Sequence, residues 1–521
     1  MNYKILKYTI LPLVCTCLIL SATAFSCNSA NKKDTKNPNI ILFLTDDQGW
    51  ADTSVKMMKN MPASKSDFYQ TPALERMAKK GLIFSSAYSP APTCTPTRTS
   101  IQFGKTPGRL KHTVVHDVLA KARGVDLKEE ISLHHRIKMA NPEYVTAHFG
   151  KWGIDVISPE YDVTDGKTNN GEGDWLVHGE KKMPEDDPKR IFSVTNRAKE
   201  FIEKCSKEDK PFFMQVSHYA VHVSSYARKE TLESYKSLLR SVKSKDSDYA
   251  DIPPHRNDWM LMYAAMIEDL DTGLGMMLDK IEELGIEENT YIIFTSDNGG
   301  GFRGNAPLSG GKATLWEGGL RVPTVVCGPG VLEGEYCDVP IAGWDIYATV
   351  NEIIGGKPLD KSYDGGSLVD LFEKGNEGKV KRGTPEMIFH FPWYAGTLPM
   401  STIRDGDFKL AMNLHTREVK LFNLRTDISE VNDLSVQMPG KTKQLKDRLE
   451  AYLKEVDAED LNDMFDERLS ELERNKQNEL KKENPNKEKL ENFQKQVEQT
   501  LKARADKDWR FSHLDDRGVN N

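Results

Sequence analysis

Ile40-Ile41-Leu42-Phe43-Leu44-Thr45, closed at once by Asp46 and Asp47, is the stretch whose reading decides the fold. So continuous an apolar run leaves neither side polar, which predicts a strand buried on both faces, as in a parallel sheet covered by helices. The same design returns at Tyr291-Ile292-Ile293-Phe294-Thr295-Ser296, followed by Asp297, Asn298 and three glycines. Ahead of it Ile267, Leu270, Leu274, Leu278 and Ile281 fall at helical spacing, so the order is helix and then strand. Phe212 to Val216 leads into Ser217-His218-Tyr219-Ala220-Val221-His222, and Tyr144 to Phe149 leads into Gly150-Lys151. Open α/β sheets bind ligands outside the carboxyl ends of their strands. Four distant segments are therefore expected to bring Asp46, Asp47, Lys151, His222, Asp297 and Asn298 together.

An aspartate after a strand often serves only as a turn former or a helix cap. Two adjacent aspartates at one strand end and Asp-Asn at another ask for more, because like charges packed together cost stability unless a cation neutralises them. Carboxylate and amide oxygens suit hard cations, so Ca²⁺ or Mg²⁺ is the expected guest. No Cys/His pair has zinc spacing.

The sharpest local motif is Pro92-Thr93-Cys94-Thr95-Pro96-Thr97-Arg98-Thr99-Ser100. Pro96 suits the first position of a helix and Thr95 its cap. Cys94 would then stand just before a helix N-terminus, where the dipole and free N–H groups favour an anion. Arg98, one turn in, can reach the same anion with its planar fork. Two other readings stay open: a buried, inert cysteine and a plain thiolate nucleophile.

Composition narrows the classes. The 521 residues carry 71 basic and 78 acidic side chains, a formal net charge of −7. That mild acidity argues against a nucleic-acid binder, whose footprint would be a basic face. A hydrophobic share of 38%, with 8 Trp, 17 Tyr and 20 Phe, supplies a sizeable core and excludes a wholly disordered chain. Seven cysteines in this length exclude a disulfide scaffold. At the start, Lys4 and Lys7 precede the uncharged, largely apolar run Tyr8 to Leu20, too short to span a bilayer comfortably and matching a secretory signal. Cleavage fits either Ala22-Thr23-Ala24 or the lipobox-like Ala24-Phe25-Ser26-Cys27, with Cys27 lipidated and the polar residues after it as a tether. The expected location is therefore outside the cytoplasm, as a periplasmic or outer-membrane bacterial lipoprotein, with the membrane reached only through an anchor on Cys27. Cys94, Cys205, Cys327 and Cys337 then remain to explain.

Cys94-Thr95-Pro96-Thr97-Arg98 resembles the motif at which sulfatases convert cysteine to formylglycine, the aldehyde whose hydrate is their nucleophile. The resemblance continues over about residues 38 to 435, and its blocks stand in the family's order. Pro38-Asn39-Ile40 through Asp47-Gln48-Gly49-Trp50 is similar to the opening strand and its metal-binding aspartate pair. Tyr69-Gln70-Thr71-Pro72 and Gly81-Leu82-Ile83-Phe84 match the segment leading to the modified cysteine. His148-Phe149-Gly150-Lys151-Trp152 resembles the block with a sulfate-binding lysine, and Ala220-Val221-His222 the block with a catalytic histidine. Ser296-Asp297-Asn298-Gly299 and Gly311-Lys312-Ala313-Thr314-Leu315-Trp316-Glu317-Gly318-Gly319-Leu320-Arg321-Val322-Pro323 match the remaining blocks. Two departures stand out. Gly153 follows Lys151-Trp152 where the family has a histidine thought to help regenerate the aldehyde, leaving His112, His116 and His148 as substitutes to consider. Gln102-Phe103-Gly104 replaces the family's apolar-Thr-Gly after the cysteine motif.

The resemblance implies an alkaline-phosphatase-like α/β fold: a large mixed, mainly parallel sheet between helices, with a smaller C-terminal antiparallel sheet. It implies hydrolysis of a sulfate monoester, most readily on a sugar, by the formylglycine hydrate at 94, after a formylglycine-generating maturation enzyme has acted. Asp46, Asp47, residue 94, Asp297 and Asn298 would hold Ca²⁺ in preference to Mg²⁺. Arg98, Lys151 and Lys312 would make the site attractive to a sulfate ester, and His222 would protonate the leaving alkoxide. Two rivals remain: a phosphodiester or phosphonate hydrolase on the same scaffold, and a sulfoglycan-binding pseudo-enzyme that lost turnover with the histidine at 153.

From Met387 the text changes to short strand-like runs. Ser401 to Leu410 is expected to form a hairpin around Asp405-Gly406, and Leu421-Phe422-Asn423-Leu424 follows. Leu445, Leu449, Tyr452 and Val456 make one helical stripe that can pack on this sheet. His390-Phe391-Pro392-Trp393-Tyr394 suits either a sugar subsite or a core. The expected boundaries are a signal peptide over 1–26, a tether over 27–37, a catalytic domain over 38–385, a sheet-plus-helix domain over 386–460 and a charged extension of solvated helices over 461–521.

Overall fold

In the computed structural model, strand β1 (Asn39–Thr45) is buried along its whole length, and its side chains divide between two cores. Ile41 and Phe43 enter one core; Ile40, Leu42 and Leu44 enter the other. This is the period-2 alternation of a strand with helices on both sides. Each such side chain removed from water contributes about 1.5–3 kcal/mol. The structure describes residues 37–115, 124–170, 184–223, 225–243, 254–301, 305–393 and 398–506. The signal, lipobox and tether expected before residue 37 lie outside these residues, as do His116, Tyr394 and the end of the charged extension.

The remaining strands are β2 (Gly81–Phe84), β3 (Ala87–Tyr88), β4 (Val145–Gly150), β5 (Val163–Thr164), β6 (Phe212–Ser217), β7 (Thr290–Ser296), β8 (Val325–Cys327), β9 (Glu335–Cys337), β10 (Ile341–Ala342), β11 (Met387–Phe391), β12 (Met400–Asp405), β13 (Phe408–Asn413) and β14 (Val419–Asn423). Eight of them form one sheet in the order β5-β4-β6-β1-β7-β8-β2-β9. All its pairings are parallel except those of β8 with β7 and β2. The sheet is thus mixed and mainly parallel, as expected. Register aligns the ends: Leu44 faces Ser217, Thr45 faces Ser296, and Gly150 also faces Ser217. The four segments that follow β1, β4, β6 and β7 therefore leave the sheet at one edge. Helices Pro72–Lys79, Ile191–Lys207 and Pro254–Glu283 cover one face, and helices Cys94–Phe103, Leu133–Ala140 and Asp345–Ile353 the other.

Strands β11 to β14 form the separate antiparallel sheet. Asp405 pairs with Phe408, so the tight turn is Gly406-Asp407, and Gly406 takes the left-handed φ of 56° that this turn demands. Helix Pro439–Glu455 and the residue after it lay Leu445, Leu449, Tyr452 and Val456 on the sheet, as the stripe predicted. The charged extension is a pair of helices, Asp463–Leu480 and Lys487–Ala505, closed by Arg504 on Asp466 at 2.6 Å. Its first turn is not solvated: Met464 and Phe465 are fully buried, and Met464 joins the core that includes Phe389, Phe391 and Trp393. His390 sits between Ser401 Oγ (2.7 Å) and the Glu459 carbonyl (2.8 Å), while Trp393 Nε1 donates to Thr113 at 2.8 Å. These groups therefore serve packing between elements, not an open sugar face.

Buried charge ties strands β12 and β13 of the antiparallel sheet to Tyr88 of β3, which pairs with β10 in a small two-stranded sheet, and to the segment 317–321. Glu317 accepts from Arg321 Nη2 (2.8 Å) and Lys409 (2.9 Å) and from the Tyr88 hydroxyl at 2.5 Å. Lys409 also meets Glu430 at 2.8 Å, and Arg404 donates to the Tyr88 hydroxyl. Burial works to raise the pKa of Glu317, but Lys409, Arg321 and Arg404 hold it well below the usual carboxylate range. Removing one member leaves its partners charged and dry. Glu317→Ala should therefore cost about 3–5 kcal/mol of stability, read as a lower urea midpoint than in the unmodified protein; a shift below about 1 kcal/mol would show that Glu430 suffices for Lys409 and Arg321.

Candidate active site

The aligned strand ends deliver the aspartates first. Asp46 follows β1, and its backbone N–H donates to the Ala220 carbonyl at 2.9 Å, which ties β1 to the segment after β6. Asp47 takes a left-handed φ of 63°, a conformation that aspartate tolerates better than most residues. That turn points its N–H at Asp297 Oδ1 (3.1 Å) and its carboxylate toward Asn298 Nδ2 (2.8 Å). Asp46, Asp297 and Asn298 are fully buried, and Asp47 is 2% exposed.

Three cations answer the three carboxylates. Lys151, leaving β4, donates to Asp46 Oδ2. Arg98 donates to Asp297 Oδ2 through Nε (3.0 Å) and Nη2 (2.8 Å), and to the Lys151 carbonyl through Nη1 (2.7 Å). Lys312 reaches both oxygens of Asp47 at 2.7 Å. Burial favours neutral acids, yet Lys151 and its neighbours hold Asp46 well below its ordinary range. Asp297 behaves differently: burial and the adjacent Asp46 push it up to about 6, against the pull of Arg98. Burial works against the charge on Lys312, and Asp47 restores it and lifts the ammonium above its usual pKa.

Cys94 is the first residue of helix Cys94–Phe103, with Thr93 as the cap at φ −143°. The helix thus starts two residues before the position expected from Pro96 and a Thr95 cap. Proline is tolerated there because the first four helical N–H groups have no partner within the helix. Cys94 is buried and lies close enough to Arg98 and Lys312 for their charges to act on it. His222 completes the group. Its Nε2 stands 3.8 Å from Asp47 Oδ2 and 3.2 Å from Asn170 Nδ2, and burial lowers its pKa despite the nearby Asp46.

The structure therefore brings together Asp46, Asp47, Arg98, Lys151, His222, Asp297, Asn298 and Lys312, with Cys94 beside them. The donor set fits a hard cation. Asp46 Oδ1 and Asn298 Oδ1 are buried and have no hydrogen-bond partner among the described residues. Buried carboxylate and amide oxygens left without a partner are costly, and both are donors that a hard cation takes. Oxygens of Asp46 and Asp47 also come within 4.8 Å of each other and of a His222 nitrogen. Asp297 joins this set through its neighbours, since Arg98 and the Asp47 N–H already engage its two oxygens.

Gly153 has its own geometry. It adopts φ of +70°, and a Cβ on it would stand 2.8 Å from Arg98 Cδ. A side chain at 153 would therefore require Arg98 to shift and would strain the backbone. Among the substitutes considered, His112 is held by Thr99 (2.8 Å) and His148 by Ser217 (3.3 Å), with burial pushing His148 down to about 3. Asn170 was not legible beforehand: it meets His222 across 52 residues, with no local signal in an Asn- and Gly-rich stretch.

The family model described as Sulfatase matches residues 38–356. A protein named Sulfatase from Formosa agariphila is 28% identical, over 80% of this chain and 87% of its own. N-acetylgalactosamine-6-sulfatase of Mus musculus is 27% identical, over 65% of this chain and 66% of its own. The crystal structure of Ps i-CgsB in complex with k-i-k-neocarrahexaose superposes with a TM-score of 0.65 at 23% identity, covering 80% of this chain and 93% of that one, a likeness of fold.

If the orphaned oxygens mark an ion site, calorimetric titration of the full chain with Ca²⁺ should give one site. Asp46→Asn and Asp297→Ala should each weaken binding by about tenfold or more. Preference for Zn²⁺ in the same titration, or unchanged affinity in Asp46→Asn, would reject this donor set.

Proposed function

The chain belongs to the sulfatase family and is a sulfuric ester hydrolase, and on that premise we propose that it removes sulfate from a sulfated saccharide, using formylglycine made from Cys94 and a bound Ca²⁺. The observation that carries the reading is the pairing of each inward carboxylate with its own cation, beside Cys94 and His222. A site of this kind offers positive groups to an anion without losing the carboxylates that an ion needs. Saccharide as substrate class is supported by a relative named N-acetylgalactosamine-6-sulfatase and a structural neighbour in complex with k-i-k-neocarrahexaose. When present, Ca²⁺ would draw electron density from sulfate oxygens, and the aldehyde hydrate at 94 would supply the nucleophile.

The chain's own residues do the rest. Arg98 holds Asp297 in place with two parallel donors and fixes the Lys151 backbone with a third. Lys151 keeps Asp46 charged, and its ammonium with that of Lys312 offsets the charge of an entering sulfate. In its charged form, with Nδ1 donating to the Val223 carbonyl, His222 protonates the leaving oxygen from Nε2 and is left as the neutral Nδ1–H ring. Ca²⁺ is favoured over Mg²⁺ because the site is built from fixed protein oxygens, whereas Mg²⁺ keeps much of its water. An exported, lipid-anchored location is part of the same proposal and suits a polymeric substrate met outside the cell.

A screen of sulfated saccharides for free sulfate tests the reading, with a phosphodiester and a phosphonate ester as controls. Protein from a host that makes formylglycine should carry an aldehyde at 94 by peptide mass spectrometry, and Cys94→Ala should abolish turnover with the fold intact. Full activity with an unmodified thiol would reject the nucleophile; binding of sulfated glycans without turnover in the modified protein would favour a pseudo-enzyme. His222→Ala should lose about 10²–10⁴-fold on a sulfated sugar and much less on nitrophenyl sulfate, whose leaving group departs without a proton.

A further inference from the structure

The imidazole of His222 is held at both nitrogens, and the two holders come from different parts of the chain. Nδ1 donates to the Val223 carbonyl, next in sequence. Nε2, the nitrogen facing Asp47, meets the side-chain amide of Asn170 at 3.2 Å. Asn170 stands at the end of a segment sewn onto the Lys151 turn. Thr168 is buried; its hydroxyl donates to the Gly150 carbonyl at 2.5 Å and accepts from the Trp152 N–H at 2.8 Å. Its carbonyl accepts from the Gly153 N–H at 3.0 Å. Asn169 Oδ1 accepts from the Asn170 N–H at 2.9 Å, and its Nδ2 donates to Asp155 at 2.7 Å.

The turn carrying Lys151 offers no side chain at Gly153, where a Cβ would press on Arg98 Cδ at 2.8 Å. The segment stitched over that turn brings the Asn170 amide against His222. We infer that Asn170 is the positioning residue for His222, fixing the imidazole plane so that Nε2 faces the leaving oxygen. An amide suits this task because its NH₂ donates to bare Nε2 and so sets the ring before it takes up a proton and after it has given one up. In the charged ring the Nε2–H points at the leaving oxygen in place of the amide; as the S–O bond breaks, its electron pair stays on the leaving oxygen, which takes the Nε2 proton, and the amide exchanges no proton.

The inference rests on the acid role proposed for His222, and the test separates the two. Hydrolysis of phenyl sulfate and of 4-nitrophenyl sulfate is compared in the full-length, formylglycine-bearing protein and in Asn170→Ala, His222→Ala and the double variant. Phenolate is the more basic leaving group, near the tyrosine value of about 10, and needs the proton more. Asn170→Ala should lose on the order of 10²-fold in kcat/KM on phenyl sulfate, the cost of an imidazole misplaced by about 1 Å, and much less on 4-nitrophenyl sulfate. In the His222→Ala background the same substitution should change neither rate. Equal losses on both substrates, or losses that multiply in the double variant, overturn the inference while leaving His222 as the acid. A His222→Ala variant with equal losses on both overturns the acid role itself. Ring-¹⁵N histidine NMR of the resting protein needs no turnover: the signal absent in His222→Ala should move in Asn170→Ala while the other histidines stay. An unmoved signal rejects the contact.

Discussion

Three carboxylates, Asp46, Asp47 and Asp297, share one buried edge of the sheet, and the surrounding chain sets a cation against each. Lys151 answers Asp46, Arg98 answers Asp297 and Lys312 answers Asp47. Buried ion pairs are about neutral for stability compared with apolar residues of the same volume, and costly when one partner is lost. Packing alone therefore gives no reason for them. They draw three otherwise unrelated pieces to one place: the helix starting at Cys94, the end of β4, and the loop before Glu317. Because Arg98 also donates to the Lys151 carbonyl, two of the three cations are fixed relative to each other.

The third cation depends on the segment after β14. Lys312 lies in a loop whose neighbours are clamped from the C-terminal side: Ser309 donates to the Ser429 carbonyl at 2.6 Å, and the Glu317 N–H to Glu430 at 2.7 Å. On the other side the Ala313 N–H donates to the Pro92 carbonyl at 2.8 Å, two residues before Cys94. The segment that follows β14 thus helps to hold the loop that sets Lys312 against Asp47.

Local chemistry made much of this legible in advance. Strands β1 and β7 could be recognised because a run apolar on both faces has few alternatives at that length, and the acidic residues follow it directly. The helical stripe over the small sheet was equally plain. What stayed hidden depends on partners far along the chain. Nothing near Glu317, Arg404 or Lys409 announces that all three are buried, since each is solvated in isolation and is dry only because the others arrive. The same holds for Met464 and Phe465, embedded in a charged sequence but docked under the sheet. The start of the Cys94 helix was misplaced by two residues because Pro96 is read as a first position, although the third is equally permitted. Asn170 was invisible because its partner, His222, lies 52 residues along the chain.

Burial across the site is graded, and the gradient gives it a direction. Asp46, Asp297 and Lys151 are fully buried and Arg98 is 1% exposed, whereas the side chains of His222 and Lys312 are 16% and 17% exposed. The orphaned oxygens of Asp46 and Asn298 lie at the closed end. An ester entering such a site leads with its charged group, since only that group gains from the cations and from an ion held there. Its leaving oxygen then stays nearer the mouth, level with the one imidazole of the group that retains contact with solvent. Next along the chain after His222, Val223 and Tyr226 are 40% and 42% exposed. The deep half of the site is accordingly the part whose chemistry was legible in the sequence, because charge pairing constrains it. The outer half, where a saccharide would be distinguished from any other alcohol, is set by side chains with few such constraints.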